Sequence, residues 1–112
     1  MGWIEGSIMA RRGVGRGAAG TTHELTEARQ GRYHYVYGAY APPVLTIRPG
    51  DTVVVETKDA FEGKITSEAD KPSEKLVLPF VNPQNGPIRI EGAEKGDTLA
   101  VEIVEILPRG PQ

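Results

Sequence analysis

The sequence predicts an all-β fold, either an antiparallel sandwich or a partly open barrel of short strands. Residues 49–56 and residues 95–102 each contain a Gly-Asp pair followed by a run rich in β-branched residues. Gly and Asp favour tight turns, and β-branched side chains favour extended backbone. Other short apolar runs are also separated by Gly and Pro, while helix-forming stretches are few, a pattern typical of this fold class.

The first thirty residues are predicted to form an N-terminal arm. Residues 11–20 consist of Gly, Arg and Ala apart from Val14, which offers little apolar surface to offset the entropy lost on ordering, so this segment is expected to be flexible. Thr21 and Glu24 have the spacing of a capping box, which predicts a short helix over residues 21–30. The sequence thus divides into an arm at residues 1–30 and a β domain at residues 31–112.

The β domain is predicted from alternating or β-branched runs that end at turn residues. The expected strands are 33–37, 44–47, 52–58, 76–81, 88–91 and 98–107. The turn at Gly50-Asp51 joins the second and third of these in a predicted hairpin. The charged run 67–75 is expected to be a loop.

The last predicted strand changes its alternation part of the way along. Leu99, Val101 and Ile103 alternate regularly, whereas Val104 and Ile106 then fall on the opposite face. Such a shift indicates either a β-bulge or a strand end that is buried on both faces.

Length and composition limit the function classes. A chain of 112 residues forms one domain at most, so a deep cleft is expected to need a second chain. Its 13 basic and 15 acidic residues give a net charge of -2, which favours neither a nucleic-acid nor a membrane partner. The chain has no cysteine, which is consistent with a cytoplasmic protein. The apolar runs within residues 1–10 are too short to span a membrane.

One glycine motif invites a nucleotide-binding interpretation that its context does not support. Residues 15–20 spell G-x-G-x-x-G, but no hydrophobic strand precedes them and no acidic residue lies about 20 positions further on. The arginines Arg11, Arg12 and Arg16 leave open a nucleotide- or nucleic-acid-binding class. We rank it last, behind a solvated or subunit-docking arm.

Few side chains are candidates for catalysis. His23 and His34 are the only histidines, and their spacing does not form a local zinc motif. Asp51 and Asp97 follow glycine in turns and are predicted to bond to the backbone. Asp59 and Glu91 instead end strands, where a carboxylate is either simply solvated or delivered to the rim of a site.

Several segments together resemble a known family. They are Ala41-Pro42-Pro43, Asp59-Ala60-Phe61-Glu62-Gly63, Asn85-Gly86-Pro87 and Glu91-Gly92-Ala93, with the two Gly-Asp turns between and after them. Taken in order, they resemble the opening part of the acetamidase/formamidase family over residues 34–106. Lys64 departs from the glutamine expected after Gly63, which puts a substrate contact at that position in doubt.

The resemblance implies hydrolysis of small amides to ammonia and a carboxylic acid. It implies His34, Asp59 and Glu91 as catalytic residues, with His34 orienting water or substrate. It also implies a divalent metal, zinc being expected, held mainly by residues of a larger partner chain in an oligomeric assembly. The alternative for His34 is a strand histidine bonded to a backbone carbonyl. The alternative for the whole chain is a non-catalytic β-domain for binding or assembly.

Overall fold

The structure, a computed structural model, describes residues 2–11 by their backbone and residues 20–108 in full. Within these ranges the chain is mostly β, as predicted. The elements in order are β1 Gly2–Arg11, β2 Thr22–Leu25, α1 Glu27–Gln30, β3 Leu45–Ile47, β4 Thr52–Thr57, α2 Pro72–Lys75, β5 Ile88–Ile90 and β6 Thr98–Pro108. Neither of the described helices has the length and apolar character required to cross a membrane.

The described strands form two sheets. The larger has the order β2-β4-β1-β6, and the smaller pairs β3 with β5. β1 is antiparallel to both β4 and β6, whereas the β2–β4 and β3–β5 pairs are parallel. The prediction of antiparallel strands therefore holds for the two pairings of β1 alone, and the strands described here do not close into a barrel.

Part of the predicted N-terminal arm belongs to the larger sheet. β1 lies between β4 and β6, and β2 lies at the edge beside β4. The prediction that residues 1–30 form an arm is therefore wrong for the two strands within them. Residues 12–19, which carry most of the Gly/Arg segment, lie outside the described residues.

The predicted helix over residues 21–30 is largely a strand. Thr22–Leu25 pairs with β4, and the N-cap is Thr26, whose side chain accepts a hydrogen bond from the Arg29 N–H at 3.2 Å. The helix is limited to Glu27–Gln30. The capping box at Thr21 is wrong because pairing with β4 and burial of Leu25 favour extended backbone over a short helix.

Two other predicted strands and one predicted hairpin also differ from the structure. Residues 33–37 are irregular apart from a single bridge between His34 and Gln84, and residues 76–81 contain a turn. α2 lies in the run that was expected to be a loop. β3 and β4 are joined by the predicted turn but do not form a hairpin, because they belong to different sheets.

The hydrophobic core lies where these two sheets meet. Leu25 of β2 and Val53 of β4 pack with Leu45 and Ile47 of β3, and all four side chains are buried. Partly buried residues packed against this group include Val55 and, in the smaller sheet, Ile88 and Ile90. The turn after β3 thus folds the chain from one layer of the core to the other.

The predicted bulge in β6 is confirmed. Glu105 pairs with Glu5 of β1, and Ile103 pairs with Gly6, so that Val104 is the additional residue between them. Between Ile103 and Glu105 the chain of β6 moves forward two residues while β1 moves one, so the alternation of side chains between the two faces reverses after Ile103.

Asp51 connects its own turn to the segment that leads into β2. Its carboxylate accepts hydrogen bonds from the Arg48 N–H at 2.9 Å and the Thr21 N–H at 2.9 Å, and it contacts the His23 Nε2 atom at 2.8 Å. The Arg48 N–H and the His23 ring lower the pKa of Asp51 to about 2. The prediction that Asp51 has a structural role in its turn is confirmed. Asp97 likewise accepts a bond from the Glu94 N–H at 2.8 Å.

Gln30, at the end of α1, holds a distant segment of backbone. Its side chain donates to the Gly86 carbonyl at 2.9 Å and accepts from the Gly86 N–H at 2.8 Å, and it also donates to the Arg32 carbonyl at 2.9 Å. The side chain is buried, as is Gly86, whose φ of 92° suits glycine. Gln30 therefore satisfies backbone groups that have no access to water.

We expect Asp51→Asn to destabilise the protein at neutral pH, with an effect that shrinks in acid. Folding lowers the pKa of Asp51 from 3.8 to about 2. The stability that the carboxylate contributes is therefore complete above the unfolded pKa and is lost as the pH falls through about 2. Urea unfolding of both proteins, followed by circular dichroism between about pH 7 and about pH 2, measures the difference. A difference that stays constant across this range would contradict the prediction.

We expect Gln30→Ala to lower the free energy of unfolding by about 1–3 kcal/mol, because it leaves buried backbone groups of Gly86 without partners. The matched control is Arg29→Ala on the same helix, which removes one exposed hydrogen bond of 3.3 Å to the Glu24 carbonyl. The control should change stability by about 0.5 kcal/mol or less. Equal effects of the two substitutions in urea unfolding would show that the Gln30 bonds do not stabilise the fold.

Candidate functional site

His34 is held beside a neighbouring loop by backbone pairing. Its N–H donates to the Gln84 carbonyl at 3.3 Å, and its own carbonyl accepts from the Gln84 N–H at 2.7 Å. The imidazole ring meets the Tyr40 ring edge to face, with centroids 5.4 Å apart. The chain segment is therefore fixed by Gln84, while the ring is positioned by Tyr40.

Two open grooves are lined by His34. The first, which we call the Asn85 groove, has a volume of about 390 Å³ and is lined by His34, Tyr37, Tyr40, Gln84, Asn85 and Pro87 among others. The second, which we call the Glu62 groove, has a volume of about 680 Å³ and is lined by Tyr33, His34, Tyr35, Lys58, Glu62 and Phe80 among others. The two grooves share three lining residues, His34, Val36 and Tyr40.

The Glu62 groove contains a direct contact between a tyrosine and a carboxylate. The Tyr35 hydroxyl donates a hydrogen bond to Oε1 of Glu62, and this bond raises the pKa of Tyr35 because ionising the phenol would remove it. The Tyr35 ring is also fixed by an edge-to-face contact with Phe80 at 5.4 Å. The pair places a proton donor and a proton acceptor side by side next to His34.

A second tyrosine in the same groove has a buried hydroxyl. Tyr33 Oη has no hydrogen-bond partner among the described residues, and burial raises the pKa of this phenol. The Lys58 ammonium lies over the Tyr33 ring, 4.6 Å from its centroid, in a cation–π contact. The lining of the groove therefore combines aromatic residues with two cationic residues, Arg32 and Lys58, and the anionic Glu62.

Asp59 shapes the turn that carries Glu62. Its carboxylate accepts hydrogen bonds from the Phe61 N–H at 2.8 Å and the Gly63 N–H at 2.7 Å, and its carbonyl accepts from the Glu62 N–H at 3.0 Å. Glu62 has a positive φ of 53°, which is uncommon for this residue type. The bonds to Asp59 hold the backbone on both sides of that conformation.

Glu91 lies at the end of β5 in an exposed ion pair. The Arg48 side chain donates from Nε to Oε2 of Glu91 at 2.9 Å, and the Glu91 N–H donates to the Ile47 carbonyl at 2.7 Å. Within the described part of the chain, neither Glu91 nor Asp59 lines the two grooves beside His34. The structure therefore separates the three predicted site residues, and their catalytic roles stay predictions.

The Tyr35–Glu62 contact is the part of the site that the sequence analysis missed. Tyr35 falls within the predicted strand 33–37, and nothing in the local pattern connects it to a glutamate 27 positions away. Glu62 does lie inside a segment that carries the family resemblance. Its position in that segment was the one sequence signal that could have identified it as a candidate site residue.

The described residues do not by themselves offer a complete metal site. Within residues 20–108, no group of three or more His, Cys, Asp or Glu side chains is arranged to hold a metal ion. Glu62 and His34 line one groove, but the carboxylate of Asp59, in the turn that carries Glu62, already accepts two backbone hydrogen bonds.

Comparison with known proteins places this geometry in context. The model of the acetamidase/formamidase family matches residues 20–111. The chain is 34% identical over 68 residues to an acetamidase of Mycolicibacterium smegmatis, a match covering 60% of this chain and 17% of that protein. It is 30% identical over 79 residues to a formamidase of Methylophilus methylotrophus, covering 70% of this chain and 19% of that protein.

A solved structure gives the same family. The crystal structure of an acetamidase from Yersinia enterocolitica matches with a TM-score of 0.70 and 62% sequence identity, covering 76% of this chain and 26% of that chain. The chain thus spans about one fifth of the length of the curated relatives and about one quarter of the solved acetamidase. The family match covers most of the sequence, and we conclude that this chain belongs to the acetamidase/formamidase family.

Proposed function

We propose that this chain is a small subunit or N-terminal portion of an amide hydrolase, whose catalytic centre is completed by another chain. The enzyme would cleave the C–N bond of small linear amides, and cyclic amides are a further class to test. The observation that carries the proposal is family membership over residues 20–111 combined with a span of 17–26% of the relatives' lengths.

Hydrolysis of an amide requires three things of the site. A base must take a proton from water as the new C–O bond forms, donors must stabilise the oxyanion, and the leaving nitrogen must gain a proton as the C–N bond breaks. In the proposed assembly His34 orients water or substrate, because this residue lines both grooves. The Tyr35–Glu62 pair supports the proton transfers, because a donor and an acceptor are already in contact there.

The two other predicted carboxylates act differently in this proposal. Asp59 acts through the turn, since its two bonds to the backbone fix the position of Glu62. Glu91 is proposed to reach the reacting groups only in the assembled enzyme, from its exposed place beside Arg48. A divalent metal, for which zinc is our expectation, would be held mainly by residues outside this chain. The assembly is proposed to be oligomeric and cytoplasmic.

A second candidate function is a non-catalytic β-domain that serves binding or assembly. The engagement of Asp59 with the backbone and of Glu91 with Arg48 favours it, because both carboxylates already have structural partners. This candidate predicts no amide hydrolysis even when every partner chain is present.

The proposal is tested by mass spectrometry of the purified protein under native and then denaturing conditions, combined with an assay of ammonia release from formamide and acetamide. We expect a larger chain in stoichiometric complex with this one, and hydrolysis by the complex. Recovery of this chain alone, without hydrolysis, would favour the non-catalytic β-domain.

In the assembled enzyme, we expect His34→Ala and Glu62→Gln each to lower kcat by about 100-fold, the usual scale for loss of a proton-transfer group. Tyr35→Phe should lower it in parallel with Glu62→Gln, because each substitution breaks the same contact. Asp59→Ala and Glu91→Ala test the two remaining assignments. The control is Glu68→Gln, an exposed carboxylate outside both grooves. Rates and metal content equal to those of the control would remove the residue concerned from the mechanism.

A further inference from the structure

One face of β6 presents a continuous apolar stripe. Leu99, Val101, Ile103 and Ile106 pair with Ala10, Ile8, Gly6 and Ile4, which are alternate positions of β1, so the four side chains share a face of the sheet. They are 51%, 55%, 61% and 59% exposed, respectively. We call these four residues the β6 stripe.

The bulge is what makes the β6 stripe continuous. If β6 paired regularly with β1, with no bulge at Val104, Ile106 would lie on the opposite face from Ile103, because it comes three positions later. With the bulge, Ile106 returns to the face of the other three. The opposite face of β6 carries Glu102, Glu105 and Leu107, so the bulge keeps both glutamates off the face of the β6 stripe.

The β6 stripe lies on the same face of the sheet as the hydrophobic core. Val53 and Val55 of β4 pair with Gly6 and Ile4 of β1, the positions that also pair with Ile103 and Ile106. Val53 is buried and Val55 packs against the core beneath the smaller sheet. Across the described residues, the second layer covers the β2–β4 side of this face and stops before β6.

We propose that the β6 stripe is the surface on which further polypeptide of the amidase docks, extending the second layer of the core across β1 and β6. This inference rests on the proposed function and names the surface that its partner uses. The acetamidase of known structure supports the choice of occupant, because the segment with this fold is only 26% of that chain and is accompanied by the rest.

A second copy of this chain fits the β6 stripe less well. Edge-to-edge antiparallel pairing of two β6 strands would continue the sheet and leave the β6 stripe uncovered, and it would bring Glu102 and Glu105 of both copies onto one face, where like charges across paired strands are destabilising. A different polypeptide with apolar side chains toward the stripe avoids this repulsion. The occupant is therefore expected to be the remaining amidase polypeptide.

The test co-expresses the full chain with the part of the Y. enterocolitica acetamidase that has no counterpart in it, and measures complex formation by light scattering after size-exclusion chromatography. We expect a one-to-one complex. The double substitution Val101→Lys and Ile103→Lys should weaken it at least about tenfold, because burying a charge on an apolar surface is unfavourable. The control is Val77→Lys, at a position that is 63% exposed and outside β6, which should leave the complex intact.

Each outcome decides a separate question. Absence of the complex, or a complex unaffected by the two lysines, would overturn the proposed surface. A homodimer of this chain that the lysines dissociate would replace the proposed occupant with a second copy. A complex that depends on the stripe but does not hydrolyse amides would uphold the surface and overturn the proposed function.

A milder variant separates loss of docking from loss of folding. Val101→Ser with Ile103→Ser removes apolar surface without adding charge and should weaken the complex in the same direction. Circular dichroism of the free chain should be unchanged in both variants, because the substituted side chains are exposed. Normal folding together with undiminished binding in both variants would overturn the inference.

Discussion

Packing of the small β3–β5 sheet against β2 and β4 is the interaction on which the rest of this structure depends. It buries Leu25, Val53, Leu45 and Ile47 together, and burial of such side chains is the main stabilising contribution available to a chain of this size. The turn that ends in Asp51 joins the two layers, and its carboxylate also holds the residues that lead into β2. The loops that carry His34 and Glu62 extend from this core.

The sequence predicted those elements whose signals are local. Turns at Gly-Asp pairs, β-branched runs and the alternation shift at Val104 identified β4, β6 and the bulge, because each is encoded within a few neighbouring residues. Partner choice is not encoded in this way. The hairpin between β3 and β4 was wrong because the chain changes sheets at the turn, and β1 was missed although Ile4, Gly6 and Ile8 alternate in sequence with the polar Glu5 and Ser7.

The candidate site shows the same limit. His34 could be singled out from the sequence because there are only two histidines and because its position before the Pro42-Pro43 pair resembles that of a histidine in the family. The contacts around His34 could not be predicted from the sequence. The Tyr35–Glu62 hydrogen bond and the hydrogen bonds between Gln30 and Gly86 join residues that are far apart in the chain. Asp59 stood out as a strand-end acid, but only the structure reveals that it accepts two backbone bonds in the turn beside it.

The pairing of β1 with β6 has a consequence for how this domain forms. Gly2 lies opposite Pro108 in that pairing, so nearly the whole described chain intervenes between two adjacent strands. Contacts of such high sequence separation slow folding, because loop closure must precede the contacts that compensate for it. During synthesis β1 emerges before the other described strands, whereas β6, one of its two neighbours, emerges only after all of them. Until then that side of β1 is an open edge, available for pairing with other chains.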